Sequence, residues 1–243
     1  MATKLYRAPV YIGAIDAYRI NHYWKKGMYF LENTHDILKQ NGMPEDELEQ
    51  IMEAAIVNSQ FSFPHAELTI LQAGQIVRLG DHDYQVILTA GHTDGHICFY
   101  NEEYSMLLSG DHLLPKITSN ISQSSQPDAD PNPLDNYLRA LNNIRGLNCK
   151  LVLPAHGKPF SNFEERISQL ESHHQKRLAL IKNCVGSGAT AYNVCRLVFT
   201  KELNYQGLRL AMSETLAHLV YLLFRGDLKV VSTDGIKSYH LKE

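Results

Sequence analysis

Cysteine is scarce in this sequence: the four present, at positions 98, 149, 184 and 195, are far apart and form no Cys-x-x-Cys pair. That spacing excludes a disulfide framework and predicts ordinary buried thiols in a reducing, cytoplasmic setting. Long apolar runs are lacking as well. None approaches the roughly 18 residues a membrane helix needs, although 44% of the residues are hydrophobic. The opening MATKLYRAPVYIG holds no apolar stretch of signal-peptide length followed by a small-residue cleavage site. Neither sign of charge is in excess, the formal net being -3, so there is no global electrostatic case for nucleic acid or an anionic membrane. Internal repeats and low-complexity tracts are absent.

What remains is a globular pattern of 243 residues, long enough for one large domain, or for one with a small appendage. Residues 8–12 (APVYI) read as a short buried strand, and residues 16–27 as a helix. Over residues 45–59, Leu48, Ile51, Met52, Ala55 and Ile56 recur at helical spacing. From Leu68 to Tyr100 the period changes to that of strands: LTIL, QIVRL, YQVILTA and ICFY, separated by Gly74, residues 80–83 and residues 91–95. MLLSGD and KLVLPAHG are continuous apolar strands, each ending in polar residues. Residues 115–133 form a long loop rich in Ser, Asn, Pro and Asp, a length that is usually functional or mobile. A helix over 133–145 leads into the second of these strands. Strands alternating with helices predict an α/β or layered α+β body.

The texture changes after Asn162. Residues 163–184 form one amphipathic helix, with Ile167, Leu170, His174, Leu178 and Ile181 along a stripe. Helices over 190–200 and 208–224 follow, and then two strands joined by a turn containing Asp234-Gly235, a strong hairpin signal. Helix, turn, helix, hairpin is the order of a winged-helix module. The expected division is therefore a body over 1–162 and a linker helix with a winged-helix-like domain over 163–243.

Three short motifs carry chemistry: TAGHTDGH over residues 89–96, SGDH over 109–112 and PAHG over 154–157. In each, a His or Asp stands where a predicted strand ends and a glycine-containing loop begins. Three strand ends of this kind could bring His92, Asp111 and His156 to one point, and imidazole with carboxylate suits zinc, iron or manganese. Read singly, each is as readily a hydrogen-bonded structural residue, so the residues alone leave metal binding at even odds.

In this order and spacing, TAGHTDGH, SGDHLLP and LVLPAHG resemble the metallo-β-lactamase superfamily, nearest the glyoxalase-II-like hydrolases and lactamase-like ribonucleases with a winged-helix tail. The likeness extends to ITSNIS, DPNPLDNYLRAL, HHQKRL and LRLAMSETLAHLVYL, nearly the whole chain. It implies an αββα sandwich, here partial, followed by the small tail domain. It also implies two zinc ions, with His92 on one, His156 on the other and Asp111 bridging both as the catalytic carboxylate. His96 and His112 would orient these ligands, and Asp128 and Asp130 would lie in the substrate loop. Asp94 stands where the family usually has proline.

The family's principal signature, His-x-His-x-Asp-His, has no counterpart, for no His-x-His occurs anywhere in the sequence. Asp81-His82-Asp83 sits in a predicted turn, where such residues are common, and His173-His174 follows the motifs instead of preceding them. The resemblance therefore implies a chain that starts after the signature and holds each metal by two protein ligands, fewer than the three of catalytic zinc sites. Weak or partial zinc binding is expected. The implied reaction is attack by a metal-bound hydroxide on an ester, thioester or phosphodiester. The competing expectations are a catalytically silent interaction domain and an RNA-processing nuclease. From Ser187 onward seven Lys or Arg stand against five Asp or Glu, a net of +2 that does not favour a nucleic-acid face. Self-association through an apolar face at residues 10–12 and 68–71, or else pairing of that face with a separately supplied N-terminal piece, is expected.

Overall fold

The computed structural model describes residues 9–23, 28–59, 67–124 and 128–242. In chain order these form β1 (Val10–Gly13), α1 (Ala14–His22), α2 (Met28–Gln40), α3 (Glu45–Ser59), β2 (Leu68–Leu71), β3 (Ile76–Leu79), β4 (His82–Leu88), β5 (Ile97–Asn101) and β6 (Met106–Gly110). There follow α4 (Pro133–Ile144), β7 (Leu151–Pro154), α5 (Phe163–Val185), α6 (Ala191–Val198), α7 (Tyr205–Phe224), β8 (Leu228–Thr233) and β9 (Ile236–Leu241). This is an α+β chain, one of the two classes its periodicity allows. No helix among the described residues is long and apolar enough to cross a membrane.

The chain divides into two compact units. The first draws on Met1–His22, Pro64–Asn120 and Asp135–Ser172; the second on Tyr23–Phe63, Ile121–Leu134 and His173–Glu243. In the first unit, β1 and β2 pair in parallel, Val10 opposite Leu68. A five-stranded sheet runs in the order β3-β4-β5-β6-β7. Its strands alternate. Tyr84 and Val86 of β4 are buried while Asp83 and Gln85 between them are exposed, as a half-buried strand requires. Leu71, Val77, Tyr84 and Val86 form a core cluster, with Tyr11, Ile97, Phe99, Met106 and Leu108 packed against it. This cluster joins the small sheet to one face of the large one. The opposite face carries Cys98, Leu107 and Val152, all fully buried. Burial of a side chain the size of Leu107 stabilises the fold by roughly 1.5–3 kcal/mol.

Pairing directions place the loops. β4 and β5 are antiparallel, β5 and β6 antiparallel, and β6 and β7 parallel, with Gly110 opposite Pro154. The carboxyl ends of β4, β6 and β7 and the amino end of β5 therefore share one edge of the sheet. The parallel β6–β7 pair needs a crossover connection, and α4 lies within it.

In the second unit α7 buries Leu208, Ala211, Met212, Thr215, Leu216, Leu219 and Leu222, a stripe at three- and four-residue spacing. It starts at Tyr205, earlier than its apolar pattern suggests. Asn204 caps it by accepting the Gly207 N–H at 2.8 Å, which lets the helix enclose a glycine in its first turn. Thr190 caps α6 in the same way through the Asn193 N–H. β8 and β9 close as an antiparallel hairpin.

Helix α2 is an element the periodicity passes over, because Asn33, Thr34 and Asp36 interrupt the apolar pattern. The helix expected over 16–27 begins at Ala14 and runs to His22, with residues 24–27 outside the described set. Ala8 of the first expected strand also lies outside it. The long loop has no helix or strand among its described residues before Pro133, and its residues 125–127 are outside the described set.

Candidate functional site

His92, Asp111 and His156 each follow one of the strand ends that share the sheet edge. The loop of residues 89–96 is closed at its base by Thr89 N–H donating to the His96 carbonyl at 2.8 Å. Ala155 N–H donates to the Gly110 carbonyl at 2.9 Å, tying the His156 loop to the Asp111 loop. The result is one carboxylate between two imidazoles. His92 Nε2 lies 3.7 Å from Asp111 Oδ2, and His156 Nε2 lies 3.3 Å from Asp111 Oδ1. Asp111 and His92 are part-exposed and His156 is mostly exposed, so the point is open to solvent.

The tautomer of His92 follows from its other contact. Nδ1 lies 3.2 Å from the Asn120 carbonyl, and a carbonyl only accepts, so Nδ1 carries the proton. The other ring nitrogen, Nε2, faces the Asp111 carboxylate across 3.7 Å. An imidazole nitrogen and a carboxylate oxygen set across such a gap suit a cation between them.

His96 and His112 lie close behind these residues. The Asp111 N–H donates to His96 Nε2 at 3.2 Å, so the His96 proton is on Nδ1, directed at Thr89 Oγ1 2.8 Å away. The Thr89 hydroxyl lies 3.2 Å from Cys98 Sγ, and the Cys98 thiol donates to the Ser109 carbonyl at 3.3 Å. The chain of bonds runs from Asp111 through three side chains back to β6, the strand that Asp111 follows. Burial, more than its neighbours, holds His96 down at about 4, so the ring is neutral, as this role requires. His112 is fully buried, and burial pushes it to about 3. It packs as a neutral aromatic ring 5.1 Å from Tyr137.

Several contributors carry no motif. Tyr137 of α4 donates to the His112 carbonyl at 3.1 Å. Its ring also fills the space where a Cβ on Gly91 would stand, and Gly91 has a φ of +143°, so this position takes glycine on both counts. Arg166 of α5 donates to the carbonyls of Leu114 at 2.7 Å and Ile117 at 2.8 Å, holding the loop after Asp111. Asp16 and Arg19 of α1 grip the loop after His92. Their separations along the chain, 77 residues between Asp16 and Thr93 and 52 between Leu114 and Arg166, leave no local signal. Asp128 and Asp130 belong to the Ile121–Leu134 segment of the second unit, where Asp130 accepts the Asn132 N–H at 2.8 Å.

Do these residues fit the metals expected of them? The donor types suit a divalent cation, but their number falls short. Among the described residues no group of three or more His, Cys, Asp and Glu side chains is arranged to hold a metal ion. With Asp111 bridging two ions, as the resemblance implies, each would meet one imidazole and one carboxylate oxygen. That is a partial set, short of the three ligands of catalytic zinc.

The profile of the metallo-beta-lactamase superfamily matches residues 4–156, and that of the metallo-beta-lactamase-like C-terminal domain matches residues 178–242. Among curated proteins, the chain is 29% identical over 143 residues to the probable metallo-hydrolase YqjP of Bacillus subtilis, covering 58% of this chain and 44% of that one. It is 25% identical over 104 residues to an atrochrysone carboxyl ACP thioesterase of Aspergillus fumigatus, covering 43% and 30%. The chain thus spans less than half the length of these relatives. Among solved structures, a metallo-beta-lactamase family protein from Thermus thermophilus superposes with a TM-score of 0.84 at 26% identity, covering 97% of this chain and 72% of that one. A beta-lactamase domain protein from Burkholderia ambifaria gives 0.80 at 26% identity, covering 97% and 67%. With the sheet-edge loops that hold His92, Asp111 and His156 lying inside the matched region, the chain belongs to the metallo-β-lactamase superfamily.

Proposed function

We propose that this chain carries part of the centre of a metal-dependent hydrolase, with His92 and His156 as ligands on either side of a bridging Asp111. The observation behind this is the single carboxylate set between two imidazoles, with His92 Nε2 turned toward it. Zinc is the cation proposed. His96 orients Asp111 from behind, and Asp128 and Asp130 are proposed to lie in the substrate loop. Esters and thioesters are the favoured substrates. The hydrolase-like relatives support the class, and the likeness to a fungal thioesterase supports the thioester. The helix–helix–hairpin of α6 to β9 is proposed to be a winged-helix module that serves packing, because its net charge is slight. A cytoplasmic setting is part of the same reading.

A second reading, a folded domain without turnover, draws on one observation: among the described residues no group of three or more His, Cys, Asp and Glu side chains is arranged to hold a metal ion. The test begins with zinc loading and dialysis of the purified chain. Metal analysis is expected to return well under two ions per chain, and Asp111→Asn to lower it further. Two tightly held ions, or retention unaffected by Asp111→Asn, would overturn the ligand assignment. The zinc-loaded chain is then assayed on an acyl thioester, an aryl ester and a phosphodiester. Slow thioester turnover lost in Asp111→Asn supports the hydrolase, and no turnover of any of the three supports the silent domain.

A further inference from the structure

The loop that carries His92 is tied down at its base by the Thr89–His96 ladder bond and folded on itself by the Gly91 N–H donating to the Thr93 carbonyl at 2.9 Å, neither of which reaches outside the loop. Three consecutive residues after His92 are instead fastened to the first turns of α1. The Thr93 hydroxyl donates to Asp16 Oδ2 at 2.5 Å. Asp94 pairs with Arg19, their side chains only 13% and 11% exposed. The Gly95 N–H donates to Asp16 Oδ1 at 3.0 Å. One carboxylate thus accepts from both a side chain and the backbone, and a nearly buried ion pair lies between those two attachments.

The backbones meet as closely as two glycines allow. A Cβ on Gly95 would overlap the Asp16 backbone nitrogen and carboxylate, and a Cβ on Gly13 would overlap the Gly95 carbonyl oxygen. Neither glycine has a positive φ, so closeness, not backbone freedom, requires glycine here.

We infer that Asp16 is a positioning residue for His92, with Arg19 as its second point of attachment: α1 clamps the loop so that the imidazole faces Asp111. The inference rests on reading His92 as a metal ligand. Asp16 touches neither His92 nor Asp111; it acts through Thr93 and Gly95. Such outer partners set how firmly a ligand is presented.

The test uses the whole chain in two stages. In the first, no metal is added. Asp16→Ala is expected to speed hydrogen exchange of the Gly95 amide by about tenfold or more and to shift the His92 ring resonances. Those of His156 should stay in place. Because Asp16→Ala could unfold the unit, Thr93→Val at an exposed position removes one of the two bonds and is expected to give the same signs, smaller. Unchanged Gly95 exchange and His92 resonances in both variants overturn the clamp.

In the second stage, cobalt(II) alone is titrated in and its visible absorption followed. Asp16→Ala should weaken cobalt binding by about tenfold, and the same substitution on a His92→Ala background should change nothing further. Equal weakening on both backgrounds means that Asp16 acts elsewhere and overturns the inference. If His92→Ala itself leaves cobalt binding unaltered, the ligand reading of His92 fails, and positioning for metal fails with it. The exchange data still decide whether α1 orders the loop.

Discussion

Thr89 shows how much one hydroxyl can organise. It is fully buried and receives the His96 Nδ1 proton, which leaves His96 Nε2 free to accept from the Asp111 N–H. Replacing it with valine keeps the shape and removes the acceptor, leaving a buried N–H unpaired. Such a group costs about 1–3 kcal/mol. Thr89→Val is therefore expected to lower the urea midpoint clearly, while Thr89→Ser, which keeps the hydroxyl, should lose less. Equal midpoints for Thr89→Val and the parent would remove this role. Sequence singled out the motif in which Thr89 stands but not what it does, because its partner Cys98 is set by the pairing of β4 with β5.

Helices α5 and α7 carry the second buried histidine pair, His174 Nδ1 lying 3.1 Å from His218 Nε2. Burial, more than the facing His173, Arg177 and each other, holds His174 at about 3, and burial holds His218 at about 4. Both values lie below the usual 6.5, so the folded helices resist protons that the unfolded chain accepts. The stability each ring contributes is complete above pH 6.5 and is lost as pH falls from 6.5 toward the folded values of about 3 for His174 and about 4 for His218. Glu214, raised by burial against the pull of Arg177, works the other way. Its contribution is present below 4.5 and lost as pH rises through its folded value. Urea midpoints are expected to fall from pH 7 to pH 5 and to flatten in the double variant His174→Leu, His218→Leu. A parent protein equally stable at both pH values would contradict this. Sequence placed His174 on an apolar stripe, but not opposite His218, since 44 residues separate them.

At the scale of the whole molecule, the exposed apolar surface of the first unit matters most. β1 and β2 pair only with each other among the described residues, which leaves each with an open edge. Ile70 on β2 is 51% exposed and Tyr18 on α1 is 47% exposed. Open edges beside apolar side chains favour strand-to-strand association. Light scattering at micromolar concentration is expected to show species above the monomer, and Ile70→Lys, a charge on that strand, to reduce them. A single monomeric species at every concentration would count against the association.

Period and punctuation in the sequence determined most of the elements: alternation over Leu68–Tyr100, the apolar stripe of α7, the Asp234-Gly235 hairpin, and the glycine-flanked His92, Asp111 and His156. These are local properties, because a residue's neighbours at two, three or four positions set which face it presents. Tertiary structure alone decided three things: that β6 and β7 run parallel, so that Asp111 and His156 leave the same edge; that Tyr137 and Arg166 support the loop after Asp111; and that Asp16 and Arg19 hold the loop after His92. Each of these depends on register between segments tens of residues apart. A hydrogen bond from Thr93 to Asp16 exists only once strands and helix have packed, and no pattern within either segment encodes the other's position.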